Sequence, residues 1–203
     1  MTRPDILKRA TDLVVGSALL LMSAPLQAAT AVVIRTTMGA PVLFRQRRAG
    51  QHGRSFTLRK FRTMSAPVAG RTGPEWDHER LTPVGRLLRS SSLDELPSIW
   101  NVIRGDMSLV GPRPLLLRYV DRYTKEQARR LLVRPGITGW AQTHGRNGIT
   151  WEEKFRLDCW YVDHRTWTLD LRILLRTVVA VIRREGITFD AASTMPEFRR
   201  VDR

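Results

Sequence analysis

The sequence predicts an α+β protein that is mainly helical, in which an N-terminal membrane helix joins a small cytoplasmic domain. Three observations support this prediction. An apolar run occupies residues 13–34, strand-forming residues alternate on both sides of Gly50–Gly53, and most later apolar residues recur at helical spacing. We expect residues 1–36 to form a re-entrant membrane helix-hairpin, broken at a proline, and residues 37–203 to form a membrane-associated domain with a β-hairpin and interfacial amphipathic helices.

The composition is strongly basic. The 203 residues include 34 lysines and arginines against 19 aspartates and glutamates, which gives a formal net charge of +15. Such a surface attracts nucleic acid, anionic lipid headgroups or phosphorylated ligands, and composition does not choose among them. Cys159 is the single cysteine, which excludes an internal disulfide, and the four histidines lack the spacing of metal ligands.

The apolar run LVVGSALLLMSAPLQAATAVVI is long enough to enter a bilayer, since a straight helix over Leu13–Ile34 would measure about 33 Å. The alternatives are a cleaved signal peptide, a single transmembrane span, and a helix that bends back to the same side of the membrane. A signal peptide fits least well, because the mature chain would be a very basic, disulfide-free exported protein.

Two features favour the re-entrant helix. Pro25 lies near the middle of the run, where it removes a backbone donor, and Ser23 is close enough to satisfy a freed carbonyl. Basic residues flank both ends of the run and prefer the cytoplasmic side, so a single span would have to translocate one basic cluster. An ordinary span with a proline kink remains an alternative.

The domain begins with a predicted β-hairpin. Val42–Arg48 and Ser55–Arg62 alternate strand-forming residues around a glycine-containing turn. Residues 65–80 are rich in proline and glycine and predict a surface loop, whereas residues 81–91 have helical periodicity. We therefore expect a hairpin, a loop and a helix in succession.

The second half of the chain predicts alternating loops and helices. The glycines and prolines of residues 105–114 predict a rigid loop without regular structure, and residues 133–148 are also loop-like. Residues 115–132 have helical periodicity, and Thr150 with Glu153 has the spacing of a capping box at the start of the next helix.

The last predicted helix, residues 169–186, is amphipathic. Arg172, Arg176 and Arg183 fall on one narrow stripe, and Leu, Ile and Val cover much of the remaining surface. One alternative is a core-packed helix with a solvated stripe, and the other is a helix that lies in the lipid headgroup layer. The apolar N-terminal run adds weight to the membrane alternative.

The stretch SSLDELPSIWN places two adjacent carboxylates in a chain crowded with arginine. Ser92 and Glu95 have the spacing of a capping box, and Asp94 would lie in the first helical turn, where the helix dipole favours an ionised carboxylate. On this local pattern alone, a helix start is favoured over a catalytic role.

The chemistry open to such a pair is restricted. Adjacent carboxylates point about 100° apart on a helix, which suits a glycosidase acid–base pair poorly. They better suit a divided task, in which one attacks an electrophile and the other binds a metal or moves a proton. A phosphorus electrophile would need Mg²⁺ and arginines at its oxygens, and loops rich in glycine and proline carry Arg113, Arg134 and Arg146.

Six segments of the chain form a recognisable set: KRATD, PVLFRQRRAG, FTLRKFRTM, LTPVGRLLRSSSLDELPSIWNVIRGDMSLVGPRPLL, VRPGITGWAQTHGRN and WEEKFRLDCWYVDH. Together they resemble the bacterial sugar transferase family, whose small members are monotopic phosphoglycosyl transferases. The resemblance runs from about Lys8 to Gly186, and the block from Ser92 to Pro114 is highly specific.

The resemblance implies an enzyme that moves a phosphosugar from a UDP-sugar to polyprenol (undecaprenyl) phosphate and releases UMP, in the first membrane step of glycoconjugate biosynthesis. It implies a covalent aspartyl-phosphosugar intermediate, a Mg²⁺ cofactor, and a monotopic location at the cytoplasmic face of the bacterial inner membrane. The implied partners are the two substrates and the phospholipid membrane, without nucleic acid, and a homodimer is left open.

The family's active-site positions carry over onto matching residues. Asp94 matches the nucleophile, and Glu95 matches its dyad partner, which is associated with Mg²⁺. Both carboxylates are therefore the metal-binding residues that the resemblance implies. The other matching positions, expected to bind substrate or to lie near it, are Lys60, Arg113, Arg146, Asp158 and Asp170.

The family's membrane-entry motif also has matching positions in this chain, namely Lys8, Arg9 and Asp12. Pro25 matches the residue that breaks the re-entrant helix. The family commonly has Ser-Pro at this break, whereas this chain has Ala24-Pro25, with the serine displaced to Ser23. Because proline does most of the breaking, we expect the bend to be retained.

A different function competes with the enzyme: a non-enzymatic, membrane-anchored basic adaptor that binds anionic lipid or nucleic acid. It predicts steep salt dependence and indifference to Asp94 and Glu95. Its weakness is that electrostatic adhesion needs neither the carboxylate pair nor the rigid GPRP loop. An enzyme of the same family that uses another nucleotide sugar is a further alternative, since the residues identify neither the sugar nor the pathway.

Overall fold

The structure is a computed structural model that describes residues 3–66, 76–144, 149–183 and 197–198. In this part of the chain helices dominate, and two sheets of two strands each complete the fold. The predicted α+β, mainly helical class is therefore confirmed.

In chain order, the described strands follow the first helix and precede the last three described helices. The helices are α1 (Arg3–Met38), α2 (Asp77–Arg80), α3 (Pro83–Ser90), α4 (Ile99–Arg104), α5 (Lys125–Ala128), α6 (Trp140–Thr143), α7 (Trp151–His164) and α8 (Trp167–Ile182). The strands are β1 (Leu43–Ala49), β2 (Ser55–Phe61), β3 (Ser108–Val110) and β4 (Gly136–Thr138). Short 3₁₀ segments lie at Gln51–Gly53, Leu93–Ser98, Leu117–Arg122 and Arg129–Leu132.

Helix α1 is the one element of the described ranges that is long and apolar enough to cross a membrane. Its middle is uncovered, with Leu21 and Met22 75% and 80% exposed. Pro25 lies inside the helix, where it leaves the Leu21 carbonyl without an amide donor. Ser23 instead donates its hydroxyl to the Leu19 carbonyl oxygen at 2.6 Å. The serine therefore supports the turn before the proline and does not replace the bond that proline removes.

Both ends of α1 pack on the same domain. Val15, in its N-terminal half, packs against the main core, whose fully buried members include Val102 on α4. Ile34, near its C-terminus, is fully buried in a second cluster with Phe61 and Leu88. The two docked ends leave the apolar middle of the helix exposed.

Strands β1 and β2 form the predicted antiparallel hairpin. The register pairs Phe44 with Lys60 and Arg48 with Phe56, and the strand ends differ from the prediction by one residue. Residues two apart in a strand share a face, and directly paired residues share it across the ladder. Arg48 and Lys60 therefore lie on the same face of the hairpin.

The prediction that residues 105–114 and 133–148 form loops without regular structure is wrong at the two short strands β3 and β4. The two strands pair in parallel, with Ser108 opposite Gly136, and are largely buried. A Cβ on Gly136 would lie 2.1 Å from the Gly111 amide nitrogen, so the two backbones cross too closely for a side chain. Glycines that suggested a loop allow this crossing, and three-residue strands are too short to show a pattern.

The helices follow the prediction in part. α3, α7 and α8 match three predicted helices, and the Thr150 hydroxyl accepts the Glu153 amide at the start of α7. Glu153 turns its own carboxylate to Arg156, so only half of that predicted capping box forms. Residues 115–132 form short helical turns instead of one helix, and α2 is a helical turn within the predicted surface loop.

Helix α8 has three kinds of surface. Leu169 and Ile173 are buried in the core, and Arg172 and Arg176 are exposed. A second apolar face, which we call the outer face of α8, is also exposed and consists of Trp167, Leu171, Leu175, Val178 and Val179. The helix is therefore core-packed on one side and also presents an uncovered apolar side.

Candidate active site

The adjacent carboxylates lie in the 3₁₀ segment Leu93–Ser98, between α3 and α4. Ser92 precedes this segment in a left-handed conformation, with φ at 57°, and its hydroxyl makes no capping hydrogen bond. The Glu95 amide donates instead to the Ser92 carbonyl oxygen at 3.2 Å. The predicted capping box is wrong at this position, because a left-handed residue lacks the extended backbone that an N-cap requires.

Two side chains from the second half of the SSLDELPSIWN stretch hold this segment against β2. The Ser98 hydroxyl donates to the Arg59 carbonyl oxygen at 2.8 Å. Asn101, which is 1% exposed, accepts the Arg59 amide at 3.2 Å and donates to the Thr57 carbonyl oxygen at 2.8 Å. These bonds fix the next residue of β2, Lys60, opposite the carboxylates.

The carboxylates are paired with two cations. Lys60 Nζ lies 2.5 Å from Glu95 Oε1 and 3.8 Å from Asp94 Oδ2. Arg113 donates to the same Glu95 oxygen at 3.0 Å. Four of the residues expected at the site are thus brought within ion-pair distance of one another.

The pKa values of the two carboxyls are pushed in opposite directions. Burial raises the pKa of Asp94, Lys60 opposes that rise, and the neighbouring Glu95 charge adds to it. For Glu95, burial also acts to raise the pKa, but Lys60 and Arg113 outweigh it and hold the pKa at about 2. The expectation that a helix dipole keeps Asp94 ionised is therefore corrected: Lys60 is the group that chiefly limits its pKa.

Glu95 of the dyad lines an open cleft. Leu58, Met107 and Ile137 provide apolar lining. Asp94 lies beside Lys60, and 12% of its side chain is exposed. The charged lining consists of Arg48, Lys60, Glu95 and Arg113. A cleft rimmed by cations next to two carboxylates suits a phosphorylated ligand.

A buried ion pair supports the loop that carries Arg113. Arg130 donates to the Arg113 carbonyl oxygen at 2.7 Å and to Asp158 Oδ2 at 2.8 Å. Both side chains of the Arg130–Asp158 pair are 2% exposed. The structure therefore places Asp158 outside the cleft lining, and its connection to the site runs through Arg130 and the Arg113 backbone.

Asp170 lies at the junction of α1 and α8 and not in the cleft. It accepts hydrogen bonds from Lys8 Nζ at 2.5 Å and from the Tyr161 hydroxyl at 2.7 Å. Arg9 donates to two carbonyl oxygens at the end of α4, at 2.6 and 2.7 Å, and Asp12 accepts a hydroxyl and an amide of β3 at 3.0 Å. The expected membrane-entry residues thus join α1 to three elements of the domain.

Two further candidates from the sequence do not enter this geometry. Arg134 donates to the Gly105 carbonyl oxygen at 3.0 Å and does not line the cleft. Arg146 lies outside the described residues. The charged site described by the structure is therefore formed by the dyad, Lys60, Arg48 of β1 and Arg113 of the GPRP loop.

The structure adds residues that the sequence did not single out. Arg130, Ser98 and Asn101 position the site, and Arg48 lines the cleft. Nothing distinguishes Arg48 or Arg130 from the many other arginines before their burial is known. Ser98 and Asn101 carried a weak signal, since a spacing of three places two side chains on one side of a helical turn.

The carboxylate pair fits the ligands that Mg²⁺ prefers. Magnesium is usually bound by one or two carboxylates together with substrate phosphates. Within the described residues, Glu95 Oε2 and both Asp94 oxygens accept no hydrogen bond, and no group of three His, Cys, Asp or Glu side chains could hold a metal. This donor set suits a metal shared with a phosphate better than an all-protein cage.

Comparison with known proteins finds several similar sugar transferases. The chain is 52% identical over 182 residues to the uncharacterized sugar transferase EpsL of Bacillus subtilis, with 90% of each chain covered. It is 40% identical over 194 residues to the UDP-glucose:undecaprenyl-phosphate glucose-1-phosphate transferase of Caulobacter vibrioides, covering 90% of this chain and 72% of that one. It is 37% identical to the undecaprenyl-phosphate galactose phosphotransferase of Salmonella typhimurium, over 89% of this chain.

The extent of these matches differs between relatives. The chain spans 41% of the Salmonella protein, less than half of its length, but 90% of EpsL. The family model described as bacterial sugar transferase matches residues 3–184, which is nearly the whole chain. The chain therefore belongs to the bacterial sugar transferase family.

Proposed function

We propose that the chain is a phosphoglycosyl transferase that moves a phosphosugar from a UDP-sugar to polyprenol phosphate and releases UMP. The observation that carries the proposal is the Asp94–Glu95 dyad, held by Lys60 and Arg113 beside a cleft. The names of relatives support the substrate class: the Caulobacter protein is named for UDP-glucose and undecaprenyl phosphate, and the Salmonella protein for undecaprenyl phosphate and galactose.

In the proposed first step, an Asp94 carboxylate oxygen attacks the β-phosphorus of the UDP-sugar. The bond from this phosphorus to the bridging oxygen breaks, UMP leaves with that oxygen, and an aspartyl-phosphosugar remains. In the second step, an oxygen of polyprenol phosphate attacks the same phosphorus, the bond to Asp94 breaks, and the carboxylate is regenerated. Both displacements occur at the same phosphorus, so a single side chain acts as nucleophile in the first step and as leaving group in the second.

The remaining charges are arranged before substrate arrives. Lys60 and Arg113 already contact Glu95, and such preorganised cations stabilise the negative charge of a phosphoryl group without further rearrangement. With a pKa of about 2, Glu95 stays ionised and keeps both cations in place. Asp94 and Glu95 would also hold Mg²⁺, which when bound neutralises the diphosphate oxygens.

We propose, further, that α1 enters the cytoplasmic leaflet and returns to the same side. Lys8 and Arg9 at one end and Ile34 at the other contact one domain, which supports placing both ends on one side of the membrane. A single span would place these ends on opposite sides. The outer face of α8, joined to Lys8 through Asp170, would lie in the headgroup layer beside α1.

The activity is tested by incubating the protein in nanodiscs with Mg²⁺, polyprenol phosphate and a panel of UDP-sugars that includes glucose and galactose. We expect one or more of the sugars to yield UMP, with sustained release only when the acceptor is present. An adaptor protein would release no UMP with any sugar and would bind anionic vesicles with a steep salt dependence. Absence of UMP across the panel contradicts the proposal.

The topology is tested by labelling single cysteines with a membrane-impermeant maleimide. Ala10→Cys and Thr37→Cys place exposed thiols near the two ends of α1, in a Cys159→Ala background. We expect both thiols to be protected in intact spheroplasts and both to be labelled after lysis. Labelling of one thiol in intact spheroplasts would identify a single span.

A further inference from the structure

The cleft contains a third cation that its carboxylates do not balance. Lys60 and Arg113 pair with Asp94 and Glu95, so these four groups are together neutral when both carboxyls are ionised. Arg48 lines the same cleft and, in the described part of the chain, has no carboxylate partner. One positive charge in the cleft is therefore uncompensated.

The Arg48 guanidinium uses few of its five N–H donors. Nη2 donates to Gln46 Oε1 at 2.5 Å, and Nη1 makes a long contact of 3.4 Å with the Pro114 carbonyl oxygen. Nε is buried and has no hydrogen-bond partner among the described residues. Two neutral acceptors thus orient the group, and donors remain for an anionic ligand.

The surroundings of Arg48 disfavour an isolated charge. Burial, with a smaller contribution from the Arg113 charge, lowers the pKa of Arg48 to about 10, so the side chain remains a cation at neutral pH. A half-buried cation that lines the same cleft as a second cation is destabilised unless an anion binds near them. A phosphate contacting both arginines would supply that anion, in the geometry that guanidinium groups bind well.

The hairpin also sets where Arg48 enters the cleft. Arg48 lies four residues after Phe44, and Phe44 is the cross-strand partner of Lys60. Four strand residues span about 13 Å, so Arg48 lies about that distance along the hairpin from Lys60. Lys60 contacts the dyad, whereas Arg48 approaches from farther along the same face of the hairpin. Arg48 is therefore placed for a phosphate next to the one that the dyad contacts.

We propose that Arg48 and Arg113 form a phosphate subsite that serves both half-reactions, a proposal that rests on the transferase activity proposed above. In-line displacement places the attacking and leaving oxygens on opposite sides of the phosphorus. UMP therefore leaves from the side opposite Asp94, and polyprenol phosphate, which later breaks the bond to Asp94, approaches from that same side. The α-phosphate of the nucleotide and the acceptor phosphate occupy one place in turn, and Arg48 binds each.

The subsite is tested with Arg48→Gln and a matched control, Arg45→Gln. Arg45 is exposed on the opposite face of β1, so the control removes the same charge outside the cleft.

In the first arm, calorimetry measures the Kd of UDP with each protein in nanodiscs. In the second arm, the aspartyl-phosphosugar is formed from labelled UDP-sugar without acceptor and then chased with polyprenol phosphate. We expect Arg48→Gln to weaken UDP binding and to slow the chase, each by about 10-fold to 100-fold, and Arg45→Gln to match the wild type.

The two arms separate the sources of the phosphate. An effect in one arm alone would assign Arg48 to donor or acceptor and overturn the shared subsite, and no effect in either arm would overturn any phosphate-binding role. UMP release by the wild type is measured in the same preparation. If the wild type releases UMP and Arg48→Gln shows no effect, only the subsite proposal fails. If the wild type releases no UMP, the transferase proposal fails, and the subsite proposal fails with it. If thermal unfolding shows that Arg48→Gln is not folded, Arg48→Lys is compared with Arg45→Lys instead. We expect Arg48→Lys to weaken UDP binding and to slow the chase by about threefold to tenfold, because lysine lacks the planar guanidinium fork.

Discussion

Replacing Asp94 with asparagine is expected to lower the rate of UMP release by at least about 10³-fold. The substitution keeps the size of the side chain and removes the charged oxygen that we propose attacks phosphorus. No other described carboxylate is placed to substitute for it, because Glu95 is bound by Lys60 and Arg113. The measurement is UMP production with the preferred UDP-sugar, polyprenol phosphate and Mg²⁺, at saturating substrate.

Asp121→Asn is the matched control for this variant. It makes the same chemical change at an exposed aspartate on another surface, and its activity should equal that of the wild type. Mass spectrometry of the wild type, treated with UDP-sugar alone, should find the phosphosugar mass on the peptide that contains Asp94. Unchanged turnover in Asp94→Asn, or an adduct on a different peptide, would refute the nucleophile assignment.

Lys60→Gln is expected to shift the acid limb of the pH–rate profile to higher pH. The proposed first step needs an ionised Asp94, so activity should be lost as pH falls through the pKa of that carboxyl. Burial already raises this pKa, and Lys60 is the main group that opposes the rise. Removing the lysine charge therefore raises the pKa further. The kcat should also fall, by about 10²-fold, because a preorganised cation is lost.

The measurement for Lys60→Gln is kcat/KM for the UDP-sugar across pH, which reports ionisation in the free enzyme. The position of the limb separates an electrostatic role from a loss of folding, since partial unfolding lowers activity without moving the limb in this way. Lys125→Gln removes an exposed lysine on α5 and should leave the profile unchanged. An acid limb at the same pH in Lys60→Gln and the wild type would show that Lys60 does not control Asp94.

The elements that could be predicted from the sequence are those with long, regular patterns. The hairpin β1–β2 has seven residues in each strand on either side of a glycine-containing turn, and α7 has both a threonine cap and helical periodicity. The strands β3 and β4 could not be predicted, because three residues carry no period and their glycines serve a backbone crossing. The capping box predicted at Ser92 was wrong because Ser92 has the sequence spacing of a cap to Glu95 but a left-handed backbone conformation.

The candidate site was predictable as chemistry but not as geometry. The adjacent carboxylates, Lys60 and Arg113 carried recognisable motifs, and the structure brings them together. The buried residues that support Arg113 carried no recognisable motif. Arg130 is separated from Asp158 by 28 positions and from Arg113 by 17, so no local sequence pattern connects them. Asp158 and Asp170 were expected near the substrate, whereas their observed bonds support a loop and a helix junction.

The bonds from Arg9 to the end of α4 have a consequence for how the enzyme would meet its lipid substrate. Helix α4 directly follows the segment that carries the dyad, so the two bonds connect α1 to the backbone that holds Asp94. A polyprenol phosphate diffusing within the leaflet carries its headgroup at a nearly constant depth. An enzyme whose reactive group is fixed at a matching height reduces the encounter from a search through a volume to a search across a plane.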